Sequence, residues 1–253
     1  MSRPTHVYIV ASPRPRSGKT LLARVLTEFF LTDARPVGAF DLDTLDATLA
    51  RFLPKFTVRA DIADTRGQIT LFDELIIANE KPKVVDVSAH AYEPFLKVME
   101  QIGFATEAPL VSVDPVILFA TGTESSSVRA YARLRERFPN LTLVPVYNDG
   151  IVRGHRLRND FPATSATALP LHLPMLSPSL RAIIDAPVFS FTEFRRGPPT
   201  DMREILGDEL NSWLKRVYLQ FREMELRLLL SNLRGSLKSS SPEAPFDEAR
   251  PPP

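Results

Sequence analysis

Ser17-Gly18-Lys19-Thr20 is the stretch of this chain whose residue types and spacing most directly imply chemistry. It sits between a short apolar run, His6 to Ala11, and LLARVLTEFFL, which begins at Leu21 and has apolar residues on nearly every face. Strand, turn and helix in that order offer bare backbone N–H groups at a helix N-terminus, where the helix dipole favours an anion. Gly18 lets the backbone approach phosphate oxygens because no Cβ stands in the way. Lys19 would reach the β- and γ-phosphates of a nucleotide, and the Thr20 hydroxyl would ligate Mg²⁺. The full pattern G-x-x-x-x-G-K-[ST] has its first glycine where this chain has Pro13. The plainer alternative is an ordinary strand-to-helix turn with a solvated lysine.

Such a loop needs a sheet to hold it. Apolar runs predict strands at His6–Ala11, Val37–Phe40, Phe56–Ile62, Lys83–Val87, Pro115–Ala120, Leu141–Tyr147 and Leu169–Leu173. Helical patterns fall between them, after Thr20 and at Leu45–Leu53, Gln68–Asn79, Tyr92–Ile102 and Ser125–Phe138. Strands alternating with helices predict an α/β fold with a mostly parallel, doubly wound sheet, the architecture of a P-loop nucleotide-binding domain over residues 1–190. Nearly continuous apolar strands agree, because strands of such a sheet are buried on both faces.

Beyond it, residues 191–235 read as a polar connection, Ser190 to Thr200, and a long C-terminal helix from about Asp201 to Leu233. Residues 236–253 are Ser, Pro and charge, a composition expected to stay disordered. On the helix, Leu210, Leu214, Val217, Phe221, Met224 and Leu228 recur at spacings of four and three, an a/d seam. That seam either packs on the chain's own domain or is offered to a protein partner or second subunit. The helix's many charges also allow a membrane surface, although its polar face carries both signs.

Composition narrows the classes. The chain has 253 residues, 44% apolar and 24% charged, with a net charge of +1, so bulk charge favours neither nucleic acid nor acidic substrates. With no cysteine, disulfides, thiolate catalysis and zinc–sulfur sites are excluded. No apolar run approaches the ~20 residues of a membrane span, and the N-terminal residues lead straight into a strand, so a cytoplasmic location is expected. His90 and His155 lack partners at metal-ligand spacing. Arg153, His155, Arg156 and Arg158, with Arg195 and Arg196, form basic patches that read as solvated loops or as contacts to DNA phosphates.

The loop Arg14-Pro15-Arg16-Ser17-Gly18-Lys19-Thr20 resembles the deviant Walker A motif K-G-G-x-G-K-[ST] of the ParA/MinD-like P-loop ATPases. The resemblance spans roughly residues 5 to 185. It implies ATP as the nucleotide, a nucleotide-dependent homodimer, and Arg14 in the place of the lysine that crosses the dimer to the partner's phosphates. Pro15 and Arg16 replace the two family glycines. Asp41-Leu42-Asp43 resembles the family's D-x-D, which would give Asp43 the role of placing the attacking water; the alternative is helix capping. Asp86, in KVVDV, resembles the Walker B acid that holds Mg²⁺ through water. Asn148 resembles the asparagine that reads the adenine edge; the alternative is a turn residue, since Asn-Asp-Gly follows the strand. Ala47 stands where the family often has Asn, and Val87-Ser88-Ala89 lacks the family's prolines.

The resulting expectation is an ATP-binding, slowly hydrolysing switch that positions, partitions or assembles a cargo. A small-molecule kinase or synthetase on the same fold, and a scaffold that binds nucleotide without hydrolysing it, are the alternatives.

Overall fold

The protein is described by a computed structural model that covers residues 3–152, 160–165, 168–187, 189–197, 202 and 204–239, with side chains described to residue 233. Among the described residues there are seven strands, β1 (Thr5–Ala11), β2 (Gly38–Asp41), β3 (Thr57–Arg59), β4 (Lys83–Asp86), β5 (Val113–Ala120), β6 (Thr142–Asn148) and β7 (Leu171–Leu173). They form one sheet in the order β3-β2-β4-β1-β5-β6-β7, and every pairing is parallel. The helices are α1 (Lys19–Thr32), α2 (Thr48–Phe52), α3 (Thr65–Ile76), α4 (Tyr92–Gln101), α5 (Phe104–Leu110), α6 (Ser125–Arg137), α7 (Asp149–Val152), α8 (Pro178–Ile184), α9 (Phe191–Arg196) and α10 (Glu204–Ser239).

β1 shows why the sheet needs cover on both sides. All seven of its residues are buried. Tyr8 and Val10 face one cluster with α1, α8, α9 and α10, while Val7, Ile9 and Ala11 face the other with α3, α4 and α6. The alternation of side chains along a strand sends neighbours to opposite faces. From β1 the chain crosses to β2 on one side, and from β4 it jumps past β1 to β5 on the other. The C-terminal end of β1 is thus the point where the winding reverses, and there a crevice opens in such sheets.

The predicted strands all form, within a few residues of their expected limits. The Phe56–Ile62 strand shrinks to β3 because only its first part reaches β2 as a sheet edge. The Leu45–Leu53 helix shrinks to α2 because Asp43 Oδ1 accepts the N–H groups of both Leu45 and Asp46, at 3.0 Å each, and tightens those residues into a turn. Within the stretch expected as a polar connection, residues 191–196 form α9, and residues 198–200 lie outside the described residues. Ser190 Oγ accepts from Glu193 N and caps α9, which buries Phe191 and Phe194. α10 continues through Gly235 to Ser239, beyond the expected start of the tail at 236, and residues 240–253 lie outside the described residues.

The a/d seam of α10 is buried against the chain's own sheet, in the same cluster as Tyr8, Leu26 and Phe29. Trp213, on the same helix, is 1% exposed and donates its indole N–H to the Pro174 carbonyl at 2.7 Å. The core therefore runs without a break across residue 190. Among the described residues no helix is long and apolar enough to cross a membrane.

Candidate functional site

The loop between β1 and α1 is held by its own polar groups. Ser17 is 1% exposed, and its hydroxyl donates to the Arg14 carbonyl at 3.2 Å. Two residues there have left-handed backbone, Arg16 at φ 56° and Gly18 at φ 86°. Gly18 is required twice over. Its conformation disfavours a side chain, and a Cβ would lie 2.3 Å from Asn148 Nδ2. Arg16 holds without a glycine's freedom a conformation that is strained for other residues, at the position where the resembled motif has its second glycine.

Lys19 is nearly buried, and its Nζ donates to the Arg14 carbonyl at 2.6 Å, with Ser17 Oγ at 3.4 Å. Burial lowers its ammonium to about 8, although Asp86 and Asp43 pull the other way. A buried cation held chiefly by one carbonyl is poised to exchange that partner for a stronger, anionic one.

Asp86, at the end of β4, is 4% exposed, and burial pushes its carboxyl up to about 7 against the lowering hydrogen bond from the Thr20 hydroxyl. Its Oδ1 is buried with no hydrogen-bond partner. A buried, unpartnered carboxylate oxygen next to a hydroxyl is a donor set that suits a hard divalent cation such as Mg²⁺. Among the described residues no cluster of three metal-ligating side chains forms, so such a cation would complete its shell with water and ligand oxygens.

Asp41 and Asp43 divide the work of the next loop. Asp41 is 2% exposed; its two oxygens accept from Asp43 N and Ala50 N, both at 2.9 Å, and burial raises its carboxyl. Asp43 lines the cavity while Oδ1 serves the turn, so the capping role and the cavity position coexist in one residue. Asn148 ends β6; its Oδ1 accepts from Gly150 N at 3.1 Å, as a turn residue would, and its amide nitrogen faces Gly18.

Lys19, Thr20, Asp43, Asp86 and Asn148 surround one cavity of about 540 Å³ together with Ser17 and Gly18. Arg14 is turned aside from it. Its guanidinium pairs with Glu124 Oε2 at 2.6 Å, on the loop after β5. Polar side chains that the sequence reading did not assign to the site also line the cavity, among them Thr48, Ser88, His90 and Arg181. The only signal for Ser88 and His90 was their place just after the strand-end acid, and nothing local marks Arg181 on α8. Of the basic patches, Arg195 and Arg196 are exposed on α9, paired with Asn211 and Glu193. Arg153, His155, Arg156 and Arg158 lie outside the described residues.

A second and larger cleft, about 1020 Å³, follows the free edge of the sheet along β3 and α3. Its side chains Lys55, Arg59, Asp64 and Glu74 form no constellation of acid, base and nucleophile comparable to the cavity at β1.

No family model matches the sequence, and no curated protein matches it. Among solved structures, the chain is similar to a nucleotide-binding protein from Archaeoglobus fulgidus in complex with ADP, with 11% identity, a TM-score of 0.46, and coverage of 72% of this chain and 86% of that one. A likeness that slight carries no argument about function.

Proposed function

We propose that the chain binds ATP with Mg²⁺ at the end of β1 and acts as a ParA/MinD-like, slowly hydrolysing switch. The reading rests on one observation above all: a single cavity gathers a buried lysine, a hydroxyl, a buried carboxylate with a free oxygen and an asparagine, from α1, β4 and β6. Phosphates would draw Lys19 from the Arg14 carbonyl and sit on the N–H groups that open α1. Thr20 and Asp86 would hold Mg²⁺, which neutralises charge on the phosphates. Asp43 would place the attacking water, and Asn148 would meet the base with its amide. Calorimetric titration with ATP, with and without Mg²⁺, tests the reading; a flat titration with ATP, ADP and GTP removes it.

Asp86 makes a second expectation. Its carboxyl is raised to about 7 in the fold. Ionising it therefore weakens the fold as pH rises from about 4 to about 7, a cost fully present above that range and absent below it. Asp86→Asn is expected to stabilise the nucleotide-free protein at pH 8 by about 1–2 kcal/mol, the Asn amide offsetting part of the gain because it also needs a partner. The same substitution should erase the Mg²⁺ dependence of ATP binding. Thermal melts at pH 8 and near pH 4, with matched titrations, check both; a destabilised variant that keeps its Mg²⁺ dependence would contradict the assignment.

A homodimer of the switch type needs Arg14 to leave Glu124 for the phosphates of a second copy. The exchange is reasonable because a surface ion pair contributes only about 0–1 kcal/mol. Arg14→Ala is expected to bind ATP as the wild type does and to remain monomeric with ATP and Mg²⁺, where the wild type doubles its mass in light scattering. A wild type that stays monomeric while binding ATP points instead to a kinase-like enzyme or a scaffold.

A further inference from the structure

His90 opens into the cavity that holds Lys19, Thr20, Asp43 and Asp86. It is exposed on the turn between β4 and α4. Its ring does not float free. Ser88 Oγ lies 3.2 Å from the ring nitrogens, donates to the Leu42 carbonyl at 3.2 Å and accepts from Ala91 N at 3.3 Å. Ser88 is 8% exposed, so one buried hydroxyl ties the turn carrying His90 to the residue just before Asp43.

The other groups around the cavity are less suited to taking a proton. Lys19, Arg16 and Arg181 are cations. Asp86 faces Thr20 and presents its free oxygen where a cation would sit. Asp43 has one oxygen bound to two backbone N–H groups. A neutral imidazole offers one unprotonated nitrogen and is the commonest general base.

We propose that His90 is the base that receives the proton of the water attacking the terminal phosphate, with Ser88 positioning its ring. The proposal rests on the nucleotide-binding reading and adds to it a residue with a stated chemical role. The water oxygen bonds to the terminal phosphorus as the bond to the bridging oxygen breaks. Nucleoside diphosphate and inorganic phosphate leave, and the water's proton passes to the unprotonated ring nitrogen of His90. Asp43 holds the water in line, and His90 discharges it.

The test is single-turnover hydrolysis of ATP with Mg²⁺ and protein in excess, alongside calorimetric ATP binding, for wild type, His90→Ala and Ser88→Ala. His90→Ala is expected to lose turnover by roughly 100-fold or more, the range of general-base catalysis. Its ATP affinity should stay within about threefold of wild type, which separates lost chemistry from lost binding. Added imidazole should restore part of the rate to His90→Ala and none to Lys19→Ala. Ser88→Ala should lower kcat less than His90→Ala does and leave KM unchanged. Turnover by His90→Ala within about threefold of wild type, or a loss that imidazole leaves untouched, overturns the proposal. So does a wild type that binds ATP without turning it over, although binding then stands. A wild type that fails to bind ATP removes the underlying reading and the proposal with it.

Discussion

Glu28→Gln is expected to destabilise the protein by about 3–5 kcal/mol, the cost of stranding a buried charge. Arg24 and Glu28 lie one turn apart on α1, at 1% and 0% exposure, and their side chains meet at 3.2 Å. Arg24 also donates to the carbonyls of Ile184 and Phe189, and its guanidinium lies over the rings of Phe52 and Phe191 at 4.0 and 4.7 Å. Glu28 in turn accepts from Ser190 Oγ at 2.6 Å and Thr192 N at 2.8 Å. Every neighbour of that carboxylate is a donor. A glutamine would have to aim its NH₂ at one of them whichever way it turned, and Arg24 would lose its only ion-pair partner among the described residues, with Asp185 left as a weaker, more distant charge.

Urea unfolding should show the midpoint fall with an unchanged slope, as for a loss of stability without a change in the surface exposed. Melts should drop by about 6–20 °C, at ~2–4 °C per kcal/mol for a domain of this size. A loss under about 1 kcal/mol would mean that water reaches the pair and screens it. Because Arg24 and Glu28 bind α1 to α2, α8 and α9, the loop that opens α1 depends on them, and nucleotide affinity should weaken in the same variant.

Lys19→Ala is expected to weaken ATP binding by ~100-fold or more, the equivalent of about 3 kcal/mol for charge-assisted bonds to phosphate. The effect has a structural origin. Lys19 Nζ sits 2.6 Å from the Arg14 carbonyl, inside the loop that would wrap the phosphates. Removing it takes away the cation and leaves the Arg14 carbonyl facing the anion. The fold should tolerate the change, and even gain from it, because burial already lowers the Lys19 ammonium to about 8. Calorimetry and melting of the variant separate the two effects. An alanine variant that binds ATP as tightly as wild type would place the phosphates elsewhere.

Much of the candidate site was legible because its signals are local. Strand, Gly18-Lys19-Thr20 and helix follow one another along the chain, and backbone groups at the start of a helix need no distant partner to bind an anion. Asp86 was legible for a similar reason, as an acid ending an apolar strand. The α/β class followed from alternating patterns, since a parallel sheet requires a crossover between neighbouring strands.

What escaped the sequence lies in pairings between distant residues. Arg14 and Glu124 are brought together from β1 and β5, which are neighbours in the sheet and far apart in the chain. Arg181 enters the cavity from α8, beyond the last strand. Arg24 and Glu28 have the spacing of an ordinary surface pair; only the packing of α2, α8 and α9 shows that they are buried. Asp43 could be read as a cap or as a site residue; the fold has it cap the turn and also line the cavity.

The amino-acid order by itself determined the strand and helix alternation, the Gly18-Lys19-Thr20 turn between β1 and α1 and the acid that ends β4, because each is set by periodicity or by contacts within a few residues. The tertiary structure alone decided which distant side chains share the cavity, that the α10 seam turns inward, and that Ser88 and His90 line the same cavity as Lys19. Those facts depend on the order in which parallel strands lie side by side, and that order is a property of the whole packed sheet.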